Sequence, residues 1–306
     1  LAQAGVVATS VVGIACDEDV PHLVLCLAVA HLGATSCTVP SYESPQQQQK
    51  ILRNAGVTLV IAKDGTVERV VAHGTGGADP ILAEVGAKLL FSTSGTTGEP
   101  KIVCHRDLGL VAQAPSHVGP TERFACLASM EHNFSKRHRL YCVAQGATNV
   151  FLDAAPETLV EQCLASELTT LHLSAYQAQE LLGAPGIGGL RGLRLKLGGS
   201  HVPVSLRESL RTHVTDHLQC GYGTTETGAI AFTHPRDEHA GESVGQTLTG
   251  IEVRVTDTHH APLETGQRGE LSIRCEGMFL GYLGQPQQTA ERLVDGWFHT
   301  GDVGHL

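Results

Sequence analysis

Apolar positions along this chain fall in short runs that alternate with half-polar segments of helical period. Residues 6–15, rich in Val and Ile, read as a buried strand. Asp17-Glu18-Asp19 with Pro21 offers a helix start, and the apolar run behind it stops at Gly33. Residues 35–39 read as a second strand ending at Pro40, residues 45–54 as a polar helix ending at Gly56, and residues 57–62 as a third strand. This strand–helix–strand–helix–strand order implies right-handed parallel crossovers, as in a doubly wound sheet. Residues 63–86, with Gly74, Gly76, Gly77 and Pro80, are looser and read as a surface connection.

The alternation then resumes. Residues 87–91, 124–130, 147–152, 169–173 and 194–197 read as strands, and residues 107–114, 136–145, 156–167, 174–182 and 204–213 as helices. Past residue 235 the texture changes, with residues 244–257 and 269–274 reading as strands of alternating side chains separated by Pro262 and Gly266. The expected fold class is α/β: doubly wound, mostly parallel sheets flanked by helices over residues 1–240, then a small antiparallel, barrel-like β subdomain over 241–306.

Composition narrows the classes. With 306 residues, 42% hydrophobic and 17% charged, the chain is large enough for a sizeable core. A net charge of −10 excludes the basic face of a nucleic-acid binder but leaves nucleotide binding open. The nine Cys are odd in number, widely spaced and without a Cys-x-x-Cys, which implies free thiols in a reducing compartment, the cytoplasm. The 17 His are scattered, and His259-His260 reads as a pair in a turn rather than a metal site. No apolar run reaches the ~18 residues of a membrane span; residues 20–34 are interrupted by His22 and His31. No signal peptide is visible, and Leu1 is not a natural start, so further residues are expected upstream.

Five stretches carry chemistry. The first is Thr93-Ser94-Gly95-Thr96-Thr97-Gly98-Glu99-Pro100-Lys101, directly after an apolar strand. Glycines allow close backbone approach, amide and hydroxyl donors converge, and Lys101 adds a compact charge, so the loop suits a polyanion. It does not satisfy the Walker A spacing, and by composition alone it reads equally as a polar surface loop. The second is Gly221-Tyr222-Gly223-Thr224-Thr225-Glu226, where an aromatic can face a purine and a carboxylate can hold Mg²⁺. By itself it is also an ordinary turn with an exposed acid. The third, Gly296-Trp297-Phe298-His299-Thr300-Gly301-Asp302, ends in a carboxylate able to accept two vicinal hydroxyls. The fourth is Lys196-Leu197-Gly198-Gly199-Ser200, a strand running into a glycine turn before a helix. The fifth, Met130-Glu131-His132-Asn133-Phe134, is followed by Lys136-Arg137-His138-Arg139, which reads as a solvated helix start or as a contact for an anion.

Together these strings resemble the adenylate-forming superfamily: acyl- and aryl-CoA synthetases, carrier-loading adenylation domains and luciferases. The likeness runs over essentially the whole chain in the expected motif order. It implies that Thr93, Ser94, Gly95, Thr96, Thr97, Gly98 and Lys101 hold the triphosphate of ATP. It also implies Tyr222 at adenine, with Gly221, Gly223 and Thr224 around the nucleotide, Thr225 at phosphate, Glu226 at Mg²⁺ and Asp302 at the ribose. Gly199 and Ser200 would lie near adenine and the acid, and His132 or Phe134 would line the acid pocket. Gly269-Glu270-Leu271 and Gly281-Tyr282-Leu283 also match family strings and read as structural. The family usually has Gly after the loop Lys, where Ile102 stands, and many members have a His at the place of His105.

The activity implied is AMP-forming ligation of a carboxylic acid to CoA. A carrier-protein-loading adenylation domain, with a phosphopantetheinyl carrier as acceptor, or a catalytically silent nucleotide- or acid-binding module are the alternatives. Family members continue through a hinge into a mobile C-terminal domain, whereas the present chain ends at Leu306. The likeness therefore implies nucleotide binding, with weak adenylation until that domain is supplied.

Overall fold

The computed structural model describes residues 1–70, 79–84, 86–93, 100–106, 118–234, 241 and 243–306. β1 (Val11–Ala15) pairs in parallel with β2 (Thr35–Thr38) and β3 (Leu59–Ala62). The crossovers are the helices Asp19–His31 and Pro45–Asn54, the second capped by Ser44, whose hydroxyl accepts the Gln47 N–H. β4 (Val67–Arg69) runs antiparallel to β3, β5 (Lys88–Thr93) parallel to β2, and β6 (Lys101–Arg106) antiparallel to β5. The connection over 63–86 is therefore not featureless. Its described part holds β4 and the short helix Pro80–Ala83, capped by Asp79.

A second sheet takes β7 (Arg123–Cys126), β8 (Thr148–Asn149), β9 (Thr170–Leu173), β10 (Arg194–Leu197) and β11 (Leu218–Thr224), all parallel. β12 (Gly228–Phe232) and β13 (Gln246–Thr247) continue it antiparallel. Only two residues of the expected 147–152 strand pair. The helix expected over 107–114 lies outside the described residues.

β14 (Ile251–Thr256) and β15 (Gly269–Cys275) open a four-stranded antiparallel sheet. β16 (Gly281–Tyr282) leaves it to pair with β6 of the first sheet, and β17 (Leu293–Val294) and β18 (Trp297–Gly304) return to close it. Phe91 of β5, Phe124 of β7, Tyr282 of β16 and Phe298 of β18 belong to one buried cluster, so the three sheets share an apolar centre. Among the described residues no helix is long and apolar enough to cross a membrane.

The helix Asn133–Gln145 corrects the reading of its basic start as solvated. Lys136, Arg137, His138 and Arg139 are all buried. Burying such groups is costly unless hydrogen bonds replace water. Arg139 accordingly donates to the Val150 and Cys126 carbonyls at 3.1 Å each, and its guanidinium lies 4.1 Å from the Phe151 ring centre. Lys136 donates to Thr38 Oγ1 of β2, tying the helix to the first sheet. These side chains, surface-like by type, are the polar struts between the sheets.

Candidate active site

One large cavity, about 1560 Å³, opens where the sheets meet. It exceeds an ordinary small-ligand pocket, so it has room for a nucleotide beside a second ligand. Thr93 closes β5 and Lys101 opens β6, and the two are cross-strand partners at the base of the Gly/Ser/Thr loop. Both line the cavity. Ser94, Gly95, Thr96, Thr97 and Gly98 lie outside the described residues. Ile102, at the family's usual Gly position, packs into the core with Ile51 and Leu90. Strand alternation thus sends the apolar side chain away from Lys101.

Gly221, Tyr222, Gly223 and Thr224 are the end of β11, and Thr225-Glu226-Thr227 is the turn into β12. The glycines are demanded by this hairpin. A Cβ on Gly223 would lie 2.3 Å from the Gly228 carbonyl oxygen, and one on Gly221 would lie 2.4 Å from the Phe232 ring. Thr224 Oγ1 accepts the Thr227 N–H at 3.2 Å and so shapes the turn. The Thr225 carbonyl is held by His105 Nε2 at 2.7 Å and Arg137 at 3.2 Å. Burial, with the nearby Arg137 charge, lowers His105 to about 3, so its imidazole is neutral and Nε2–H donates.

This anchoring aims Glu226 at the cavity. Tyr282 Oη donates to Glu226 Oε1 at 2.7 Å, leaving Oε2 for another partner. Lys101 Nζ lies 5.1 Å over the centre of the same Tyr282 ring. Sequence reasoning takes Tyr282 as structural; only its place in β16, beside β6, joins it to the loop Lys and the acidic turn. Asp302 projects from β18, and its Oδ2 accepts the Tyr222 hydroxyl at 2.6 Å. Burial, then this bond, pushes the Tyr222 hydroxyl pKa up.

On the neighbouring strand, Gly198 and Gly199 follow β10 and line the cavity, whereas Ser200 is exposed and outside its lining. Gly199 has φ +82°, a conformation natural to glycine. A Cβ on Gly198 would sit 3.2 Å from Phe134, so that ring rests on the glycine turn. Phe134 stacks on His172 at 4.9 Å, and His132 stacks on Tyr42 at 5.0 Å. Tyr42 comes from the loop after β2, braced where Glu131 accepts the Ser41 N–H at 2.6 Å and hydroxyl at 2.8 Å. His138, His172 and Lys196 also line the cavity. Burial, followed by the Arg194 charge, pushes Lys196 down to about 7. Its signal in the sequence is its place in a strand that alternates Arg194 and Lys196 with Leu195 and Leu197, directly before the glycine turn.

The AMP-binding enzyme family matches residues 82–283. A methyl-dioxo-octahydroindenyl propanoyl:CoA ligase from Rhodococcus jostii (strain RHA1) is 32% identical over 228 residues, 70% of this chain and 42% of that protein. A fatty acid–acyl-carrier-protein ligase, ScoC, from Streptomyces coeruleorubidus is 29% identical over 242 residues, again 70% of this chain and 45% of that protein. The chain thus spans less than half the length of either relative. Among solved structures, the amide bond synthetase McbA from Marinactinospora thermotolerans superposes with a TM-score of 0.85 over 100% of this chain and 69% of its own, at 24% identity. That likeness is one of fold.

Proposed function

Because the chain belongs to the AMP-binding enzyme family, we propose that it serves an AMP-forming acid–thiol ligase, which activates a carboxylic acid with Mg·ATP and passes the acyl group to CoA. The observation that carries this reading is the convergence of Thr93, Lys101, Tyr222, Glu226 and Asp302, from three separate sheets, on one cavity. In the first half-reaction an acid oxygen attacks the α-phosphorus and pyrophosphate leaves. In the second a thiolate attacks the acyl carbon and AMP leaves.

In this reading Asp302 accepts the ribose hydroxyls, Tyr222 lies at adenine with Gly221, Gly223 and Thr224 along it, and Thr225 meets phosphate. Thr93, with the loop residues Ser94 to Gly98, and Lys101 surround the triphosphate. Gly199 and Ser200 border the adenine and the acid, and His132 and Phe134 line the acid end. The work is electrostatic preorganisation, since ATP brings its own leaving group. Glu226 fits Mg²⁺: its Oε1 is oriented by Tyr282 while Oε2 is left over, the arrangement that supports a ligating carboxylate. When bound, Mg²⁺ neutralises charge on the phosphates.

The likeness to an acyl-carrier-protein ligase favours one second reading, in which a phosphopantetheinyl carrier replaces CoA as acceptor. The working division remains residues 1–240 for the adenylation core and 241–306 for the β subdomain. The nine free thiols, eight of them buried, support a reducing compartment, and we place the protein in the cytoplasm.

The test is calorimetric titration of AMP and of Mg·ATP into the chain and into Asp302→Ala. Saturable binding that the variant loses supports the site; a carboxylic-acid screen by pyrophosphate exchange then follows. Equal binding in both proteins moves the nucleotide elsewhere. No binding in either overturns the reading for this chain.

A further inference from the structure

Behind the strand that carries Asp302 lies a second cluster, outside the cavity. His260, Glu270 and His299 each bring a ligand atom to within 4.8 Å of the others. His259-His260 reads in sequence as an isolated pair; the fold adds the other two groups from β15 and β18.

Ser272 Oγ links Thr256 Oγ1, at 3.2 Å, to His299 Nδ1, at 3.0 Å. With the Thr256 hydroxyl on the Glu270 carbonyl at 3.4 Å, Ser272 donates to Thr256 and accepts from Nδ1–H, the tautomer that leaves the lone pair on Nε2. That Nε2 is buried with no hydrogen-bond partner in a side chain only 1% exposed, and His260 Nδ1 is likewise buried without one. Orphaned buried nitrogens call for a partner. An imidazole whose far N–H is already held is the usual form of a metal-ligating His.

The carboxylate is held at one of its oxygens. Glu270 Oε1 accepts the Gly301 N–H at 2.7 Å and lies 3.4 Å from the Arg292 guanidinium. Oε2 turns toward His299, 4.0 Å from Nδ1. His260 is held over the cluster by a turn in which Asp257 Oδ1 accepts the His259 and Ala261 N–H groups at 2.8 and 2.9 Å. Its φ of +63° is a left-handed conformation, and its ring centre is 3.8 Å from that of His299.

We propose that His260, Glu270 and His299 form a binding site for a first-row divalent cation, Zn²⁺ foremost. Two imidazoles and one carboxylate are a zinc donor set, and zinc bonds of ~2.0–2.2 Å would draw the three groups around one ion. The ion joins the β14–β15 turn to β18. Since Glu270 also holds Gly301, it stiffens the segment from which Asp302 projects.

The test is titration of ZnCl₂ into the chelator-stripped, nucleotide-free chain by calorimetry, with Co²⁺ absorption as a second readout. Wild type is expected to take one equivalent, with the intense visible bands of four-coordinate Co²⁺, and to melt at higher temperature with zinc. His260→Asn, whose Asn tolerates the left-handed turn, and Glu270→Gln, which keeps an acceptor for Gly301, should each bind at least tenfold more weakly. His259→Ala and Glu226→Gln should bind as wild type does. No saturable equivalent in wild type, or wild-type affinity in both His260→Asn and Glu270→Gln, overturns the proposal.

Discussion

The Tyr222 hydroxyl donates to Asp302 Oδ2 at 2.6 Å, joining residues 80 positions apart across two sheets. The ligand-free carboxylate is thus already held in place. If Asp302 is the ribose clamp, the sugar hydroxyls must share or displace this bond. Asp302→Ala should weaken AMP binding by at least tenfold. Tyr222→Phe keeps the ring and frees the carboxylate, so AMP affinity should change by less than about threefold, the loss of one modest hydrogen bond. Calorimetry on both variants checks the pair. A large loss in Tyr222→Phe with none in Asp302→Ala would reverse the assignment.

Glu226 offers a cleaner separation of roles. Its proposed task is Mg²⁺, which travels with ATP and not with AMP. Glu226→Gln should therefore weaken Mg·ATP binding while leaving AMP affinity near wild type. Tyr282→Phe removes the bond to Glu226 Oε1 and should cost about 1.5–3 kcal/mol of stability, as for a hydrogen bond to a charged group. Urea unfolding measures the second effect. Equal weakening of AMP and Mg·ATP in Glu226→Gln would remove the metal role.

The glycines of the site divide into two kinds. Gly223 meets backbone, the Gly228 oxygen at 2.3 Å from its would-be Cβ, so Gly223→Ala should destabilise by roughly 1–3 kcal/mol through overpacking. Gly199 has open space around it and only its φ of +82° to defend. Gly199→Ala should cost about 1 kcal/mol of fold stability while weakening nucleotide or acid binding, since the methyl group enters the cavity. Unfolding curves beside titrations separate the two. Unchanged ligand binding in Gly199→Ala would take the turn out of the site.

Much of this architecture is legible in the sequence, for identifiable reasons. The strand Arg194–Leu197 and the helices Pro45–Asn54 and Val204–His213 stand at the expected residues because apolar periodicity, proline starts and polar ends agree there. The helix Asn133–Gln145 departs from its sequence reading because Lys136, Arg137, His138 and Arg139 are solvent residues by type. Their partners, the Thr38 hydroxyl and the Val150 and Cys126 carbonyls, come from distant strands. No local pattern announces such pairing. The motifs assign ligand roles to Tyr222, Glu226 and Asp302, whereas Tyr282, His105 and Arg137, though present in quoted strings, carry no sign there that they hold Glu226 and the Thr225 carbonyl. Orienting groups are fixed by tertiary contacts, and a motif records only the group being oriented.

Acid sensitivity follows from the buried histidines. Burial pushes His22 and His105 down to about 3 from an ordinary 6.5. Above pH 6.5 neither the folded nor the unfolded chain protonates them. Between pH 6.5 and 3 the unfolded chain takes up protons that the folded chain refuses, so stability falls as pH falls. Across the whole interval each imidazole costs roughly 5 kcal/mol. Carboxylates such as Asp64 and Glu252 are held below their ordinary values, and the interval from pH 6.5 to 5 is that of the buried imidazoles, His299 among them. Urea midpoints across that interval should fall for wild type and fall less for His105→Gln. Identical slopes would mean that His105 is not held neutral.

Lys196 has the opposite window. It is buried in the lining of the cavity, and its folded pKa is pushed down to about 7 from 10.5. Below pH 7 both states carry the proton, and the fold bears the whole cost of burying the charge. Between pH 7 and 10.5 the folded chain releases the proton while the unfolded chain keeps it, so this cost fades as pH rises. Lys196→Met keeps the volume and removes the charge, and replacing a buried ion by a well-packed apolar side chain is often stabilising. The variant should be more stable than wild type at pH 6–7. The gap should shrink by about 2 kcal/mol between pH 7 and 9, since one proton held by only one of the two states changes stability by about 1.4 kcal/mol per pH unit. Comparing the two chains at each pH cancels the titration of the buried thiols, which both share. A gap independent of pH would show that Lys196 keeps its proton in the fold. The charge would then be compensated by a carboxylate, with Glu122 the first to test, as its own charge raises the Lys196 pKa.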